Sequence, residues 1–283
     1  QEFDAESELI PLLTPEDEEE MNNEDLPESL SILPLRNMVL FPGVVIPITA
    51  GRDKSINLIN DAYAGGKIIG VVAQKNEEVE DPTINDIHNI GTVARILRVL
   101  KMPDGNVTVI LQGKKRFQIE SLVSETPYFT ANIKDVPEKR PTKKDREFLA
   151  ILDSVRELAI QIIKENPNIP SEATFAIKNI ESQSFLINFV TSNMSLSVEE
   201  KQNLLSINSL KDRALETLRY MNTELQKLEL KNDIQSKVRF DLDQQQREYF
   251  LHQQMKTIQE ELGGVSQEEE MDEMNAKAKT KKW

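Results

Sequence analysis

Between Ser31 and Val136 the apolar residues fall in short runs rich in β-branched side chains: SILPLR, VVIPIT, KIIGVVAQK, IGTVARILRVL, VTVILQG, RFQIESLV and YFTANIKDV. Turn formers separate these runs, so the pattern predicts strands. Met102-Pro103-Asp104-Gly105-Asn106 predicts a hairpin turn in which Gly105 supplies the positive φ. Pro42-Gly43, after Val39-Leu40-Phe41, predicts another turn. Pro47 cannot donate to a sheet ladder, so its place inside an apolar run predicts an edge strand or a bulge. One helix interrupts the strands: Lys54 to Ala64 puts Ile56, Ile59 and Tyr63 on one face, and Gly65-Gly66 ends it. Mostly antiparallel strands with a single helix predict a small closed or strongly curved sheet.

After a charged, proline-bearing linker over 137 to 146, PEKRPTKKDR, the period becomes helical. Lys143 to Asn166 carries Phe148, Leu149, Leu152, Val155, Leu158, Ala159, Ile162 and Ile163, and Asn166-Pro167 stops it. Shorter helices are predicted around Glu172–Ile180, Ser184–Asn193 and Ser197–Leu205, the last opened by a Ser197–Glu200 capping box. From Leu210 an apolar seam runs through Ala214, Leu218, Met221, Leu225 and Leu228. It then shifts to Leu230, Ile234, Val238 and Leu242, rotating the apolar face part-way along the helix. The first half should pack on the helical domain and the second should face outward or pair with another subunit. The stretch from Lys237 to Gly264 is mostly glutamine and charge, with Val238, Leu242, Tyr249, Ile258 and Leu262 as a thin seam. Such a helix buries little of itself and needs a partner. These five residues are the candidate assembly positions, with Gly263-Gly264 as the helix end and a linker from 265 to 283. The fold class is therefore α+β: a β domain over 31–137, a helical domain over 138–209 and a long helix over 210–264.

Charge changes the picture at one end. Twelve of the 48 acidic residues lie in the first 30 positions, which hold no basic residue. The rest of the chain balances 34 basic against 36 acidic residues. Residues 1–30 are thus expected to be a disordered acidic tail. This start lacks the basic opening and apolar core of a signal peptide. No apolar run is long enough to span a membrane. The absence of cysteine excludes disulfides and thiolate metal sites, and fits a cytoplasmic setting.

Candidate chemistry is sparse. His88 and His252 are far apart and lack cysteine or spaced carboxylate companions, so no metal site is expected. Gly65-Gly66-Lys67 is followed by Ile68 where a phosphate loop needs Ser or Thr, and reads as a helix-to-strand turn. No G-x-S-x-G or other nucleophile signature is present. Gly113-Lys114-Lys115-Arg116-Phe117 is an isolated basic group on a near-neutral domain, read as a solvated turn with a structural arginine rather than a nucleic-acid site. No catalytic, cofactor-binding or metal residue is assigned. A curved sheet with a proline-bearing edge can offer backbone groups to an extended peptide. The candidate substrate contacts are accordingly the rim with Phe41, Pro42, Val44 and Ile46, and the turn Arg52, Asp53, Lys54 and Ser55.

Several blocks resemble the N-terminal region of the Lon protease family in order and spacing. They are Leu33-Pro34-Leu35-Arg36 followed by Phe41-Pro42-Gly43, Gly51-Arg52-Asp53-Lys54-Ser55, Val71-Val72-Ala73-Gln74-Lys75, Gly91-Thr92-Val93-Ala94 and Pro103-Asp104-Gly105. The helix Gln245 to Gly263, QQREYFLHQQMKTIQEELG, resembles the one that precedes the ATPase module in that family. The resemblance covers about residues 31 to 264. It implies an ATP-dependent serine protease assembled as a ring, usually a hexamer. In such an enzyme this region captures damaged, misfolded and selected regulatory proteins, an AAA+ module using ATP and Mg unfolds them, and a Ser-Lys dyad cuts. Both catalytic modules are missing from these 283 residues, so a non-catalytic recognition and assembly region is expected. The alternative is a stand-alone interaction protein with a ligand-binding β domain and a dimerising helix.

Overall fold

In the computed structural model, residues 13–103, 105–142, 144–262 and 267–280 are described. The chain divides into two units, 1–226 and 227–283. The first begins with helix α1 (Pro15–Asn23), followed by strands β1 (Ser29–Leu35) and β2 (Val45–Ala50), helix α2 (Asp53–Ala64) and strands β3 (Ile68–Ala73), β4 (Ile90–Lys101), β5 (Val107–Ser124) and β6 (Thr130–Asp135). Five helices complete it: α3 (Arg146–Glu165), α4 (Ala173–Asn179), α5 (Gln183–Asn193), α6 (Val198–Ser206) and the start of α7 (Leu210–Glu261).

The sheet closes on itself. Its strand order is β2-β5-β4-β3-β1-β6, and β6 pairs again with β5. Every pairing is antiparallel except β1 with β3. Closure is possible because β5 is 18 residues long. Its second half pairs with β6 and its first half with β2. Two register shifts between β4 and β5 and two between β5 and β6 supply the bends. The barrel interior is filled by Leu30, Ile32, Val72, Ile87, Val93, Phe117, Phe129, Ala131 and Ile133. Phe117 is fully buried, which is worth about 1.5–3 kcal/mol against exposure. Room for it comes from Gly91, whose hypothetical Cβ would lie 2.4 Å from the Val71 carbonyl oxygen and 3.0 Å from the Phe117 ring.

The first half of β5, Val107–Gln112, and the second half of β4, Ile96–Lys101, together with β2, extend the barrel as a three-stranded flap. β2 is its terminal strand, and Pro47, opposite Ile110, stands on that edge as expected. The hairpin turn closes with Met102 N–H donating to Asn106 O, and Gly105 has φ +86°. Asp104 lies outside the described residues. α2 starts one residue earlier than expected, at Asp53, and its buried face is Ser55, Leu58 and Ile59. Ile56 is half-buried and Tyr63 is exposed. The exit from α2 uses positive φ at Lys67 rather than at either glycine.

The helical layer keeps the expected helical period, but the α3 face is turned slightly: Ile151 is buried, whereas Leu149 is exposed and Leu158 and Ile163 are half-buried. Phe148, Ile151, Leu152, Val155, Ala159 and Ile162 form the buried stripe of α3, and Asn166 ends the helix. Ser197 and Glu200 form the capping box of α6. α7 buries Leu210, Arg213, Ala214, Thr217, Met221 and Leu225.

Three expectations for the first unit are corrected. The segment expected to be a tail holds α1, capped reciprocally by Thr14 and Asp17, and β1 begins at Ser29. Residues 1–12 lie outside the described residues. Acidic composition predicted disorder, but Glu18 and Glu24 find cationic partners across the fold. The 137–146 linker is docked rather than free: Lys139 N–H donates to Asn208 O at 2.9 Å, and Leu210 N–H donates to Lys139 O at 3.0 Å. The basic group at 114–116 is no solvated turn. It lies within β5, where Lys114 and Arg116 are buried.

Arg116 does act structurally, as expected. Its guanidinium donates to Leu205 O and Ile207 O at 2.9 Å each, and to Asn208 Oδ1, Val136 O and Pro137 O. Burial, with Arg213 adding repulsion, pushes its pKa down to about 10. It remains a cation at neutral pH and satisfies carbonyls at the C-terminal end of α6. Arg213, fully buried, donates to Glu138 Oε2 and Asn188 Oδ1 at 3.0 Å each, and to Ile207 O. These two arginines join the barrel, the 136–139 segment and the α6–α7 corner.

In the second unit α7 continues to Glu261, and the segment expected to be a linker forms helix α8 (Gln267–Thr280). Val238, Leu242, Tyr249, Ile258 and Leu262 are all more than half exposed. Gly263-Gly264 lies outside the described residues.

Candidate functional site

The predicted contact residues separate into two groups. Phe41 is fully buried, Val44 is 5% exposed and Ser55 is 8% exposed. These three therefore leave the candidate contact surface: Phe41 and Val44 fill the interior beside the turn, and Ser55 lies on the buried side of α2. Ile46 is half-buried and pairs with fully buried Leu111. Pro42 accepts a bond from Asn188 through its carbonyl. A Cβ on neighbouring Gly43 would lie 2.7 Å from the Phe185 ring, and its φ is +80°. The Phe41-Pro42-Gly43 turn is thus a joint between barrel and helical layer.

Arg52, Asp53 and Lys54 sit at the entrance of α2. Arg52 Nη2 donates to Gln74 Oε1 at 2.7 Å, and Gln74 in turn donates to Val79 O. Arg36 also donates to Val79 O. Burial, with Arg36 adding repulsion, lowers the Arg52 pKa. Lys54 pairs with both oxygens of Asp81 at 2.9 Å. This corner adjoins a shallow depression lined by Pro34, Leu58, Pro82, Tyr128 and Phe129. Gly51, just before it, faces the hairpin tip: a Cβ there would lie 2.8 Å from Asn106 Oδ1. The charged turn and the flap therefore meet.

The flap supplies what the sequence pattern did not reveal. Cross-strand partners share a face, so Pro47, Ile110 and Arg98 lie on one side with Thr49, Thr108 and Leu100. The opposite side holds the buried residues Val107, Val109 and Leu111. On the outer side Pro47 and Leu100 are exposed, Ile110 is half-buried, and exposed Leu97 and Met102 flank them. Leu97 occupies the register shift between Ile96 and Arg98. That irregularity breaks the alternation that would have marked Leu97 and Leu100 as outward.

Among the described residues no group of three or more His, Cys, Asp or Glu side chains is arranged to hold a metal, and no helix is long and apolar enough to cross a membrane. His88 lies half-buried, its pKa lowered by burial and by Lys75.

A barrel with an apolar flap, locked to a helical layer and leading into a long helix, is the architecture of a substrate-binding domain of the Lon type. The chain belongs to that family: the model for "ATP-dependent protease La (LON) substrate-binding domain" matches residues 29–223. It is 85% identical to a Lon protease of Flavobacterium johnsoniae over 283 residues, all of this chain and 35% of that protein. It is 49% identical to a Lon protease of Cytophaga hutchinsonii over 275 residues, 97% of this chain and 34% of that protein. The chain thus spans about a third of the length of these relatives. The N-terminal domain of Mycobacterium avium complex Lon protease shares the fold, with a TM-score of 0.57 at 20% identity over 69% of this chain and 98% of that one.

Proposed function

We propose that this chain captures unfolded or damaged polypeptides for an ATP-dependent Lon-type serine protease, by weak binding on the outer face of the flap and the adjoining Arg52-Asp53-Lys54 corner. The observation that carries the reading is the exposed cluster of Pro47, Leu97, Leu100 and Met102 on a domain of the substrate-binding family. Exposed apolar side chains on a sheet face suit segments that folded proteins hide, and the free edge of β2 suits an extended chain. Low affinity at each copy fits a ring in which several copies act together. The parent protein would supply the ATP, Mg and Ser-Lys chemistry in a cytoplasmic homohexamer. The exposed seam Val238, Leu242, Tyr249, Ile258 and Leu262 would contribute to assembly.

The test is titration of a labelled, permanently unfolded protein with the wild-type chain and with a Leu97→Ser, Leu100→Ser variant. These side chains are already exposed, so the melting curve should not move while binding weakens. Unchanged binding by the variant would remove the flap from the site.

A further inference from the structure

We propose that the cleft between barrel and helical layer is a binding site for short acidic, helix-forming peptide segments, and that α1 is its built-in occupant. The cleft measures about 710 Å³ and is lined by α1, β5, the 135–140 segment and the start of α5. α1 is anchored at three points. Leu13, 7% exposed, stands beside Phe185, both crowding the Cα of Gly43. Glu18 accepts from the Arg140 guanidinium and from the Ser182 hydroxyl. Glu24 accepts from the Lys114 ammonium, and its backbone carbonyl accepts from Lys115 at 2.8 Å.

The walls bring cations to the α1 side, Lys114, Lys115 and Arg140, beside their own acidic residues Asp135, Glu138 and Glu181. Lys114 is 7% exposed in the interior of β5, a costly place for a cation without a partner. Glu138 uses Arg213, Arg140 and Ser184, which leaves Arg140 shared between Glu138 and Glu18. α1 itself is lightly held. Glu18 is the one buried residue within the helix, and the cleft keeps its 710 Å³ open with the helix in place. A strap fixed mainly by polar pairs, with Leu13 as its one buried apolar anchor, can be exchanged for another segment that brings the same groups. The matching chemistry is an apolar residue, a Ser or Thr cap and carboxylates placed like Glu18 and Glu24. The inference does not rest on the flap, which is a separate surface.

The chain has no cysteine, so Glu16→Cys places a single fluorophore on an exposed position of α1. A synthetic peptide of residues 11 to 24 is then added in excess to the labelled full chain. Displacement should lower the label's anisotropy, and added salt should reverse the effect. In a second arm a labelled copy of the peptide is titrated into the full chain carrying Leu13→Asp and Glu18→Lys, which release the strap. The released chain should bind about tenfold more tightly than wild type, because a tethered competitor has been removed. Lys114→Glu with Lys115→Glu should abolish that gain. Should the released variant fail to fold, the displacement arm decides alone. The proposal is overturned if the peptide neither displaces the label nor prefers the released chain, or if a scrambled peptide of equal charge binds as well. Exchange of α1 between copies, seen as a dimer that takes up no peptide, would also overturn it.

Discussion

Replacing Arg213 with methionine should cost the first unit about 3 kcal/mol, near the lower end of the range for breaking a buried ion pair. The guanidinium is fully buried and makes bonds to three acceptors. Ile207 O would keep its 2.9 Å bond from Arg116, so it is not orphaned. Asn188 Oδ1 would lose its Arg213 donor, at about 1–3 kcal/mol for an unsatisfied buried group. Glu138 would keep Arg140 on Oε1 and Ser184 on Oε2 but lose its fully buried cationic partner. Methionine offsets part of this by filling the volume without needing solvation. Against a domain stability of about 5–15 kcal/mol, the loss should move the urea midpoint by roughly 1–2 M. Adding Glu138→Gln should cost less than the two single changes summed, by about 0.5–3 kcal/mol, because the carboxylate no longer lacks its cation. A loss below about 1 kcal/mol for Arg213→Met, the worth of a surface pair, would refute the claim that this network locks the helical layer to the barrel.

Gly91→Ala should destabilise by about 1–3 kcal/mol through overpacking against the Val71 carbonyl, seen as a lower midpoint in the same urea series. Ser197→Ala should cost about 1 kcal/mol by removing the α6 cap, with Ser197→Thr largely neutral. The folded-state pKa of His88 lies below its ordinary 6.5, so the fold disfavours the protonated ring. Its share of stability is present above 6.5 and declines as pH falls toward the folded value; His88→Gln should flatten stability across that window. Ending the chain at Gln226 should leave the melt of the first unit intact and weaken self-association in sedimentation, whereas equal association would exclude 227–283 from assembly.

The strands and helices were legible because each carries its own period, and Pro47, Gly105 and the Ser197–Glu200 pair marked an edge, a turn and a cap by local chemistry alone. The docked segments were not. Nothing near Glu18, Glu24 or Glu138 in sequence announces Arg140, Lys114 or Arg213 as partners, so acidic and charged stretches read as solvated. Phe41 and Val44 misled for a related reason: a turn motif says where the chain bends, not which side of the bend is covered. Leu97 and Leu100 were hidden by a register shift that only the paired strand reveals.

The central claim is that this domain takes hold of unfolded protein through its apolar flap. The most direct measurement is cross-saturation or chemical-shift mapping of the isotope-labelled chain during titration with an unfolded protein. The account predicts that perturbations concentrate at Pro47, Leu97, Leu100 and Met102 and reach Arg52 and Lys54. Saturable binding whose perturbations leave the flap and this corner untouched, or no binding at the highest soluble concentration, would contradict it.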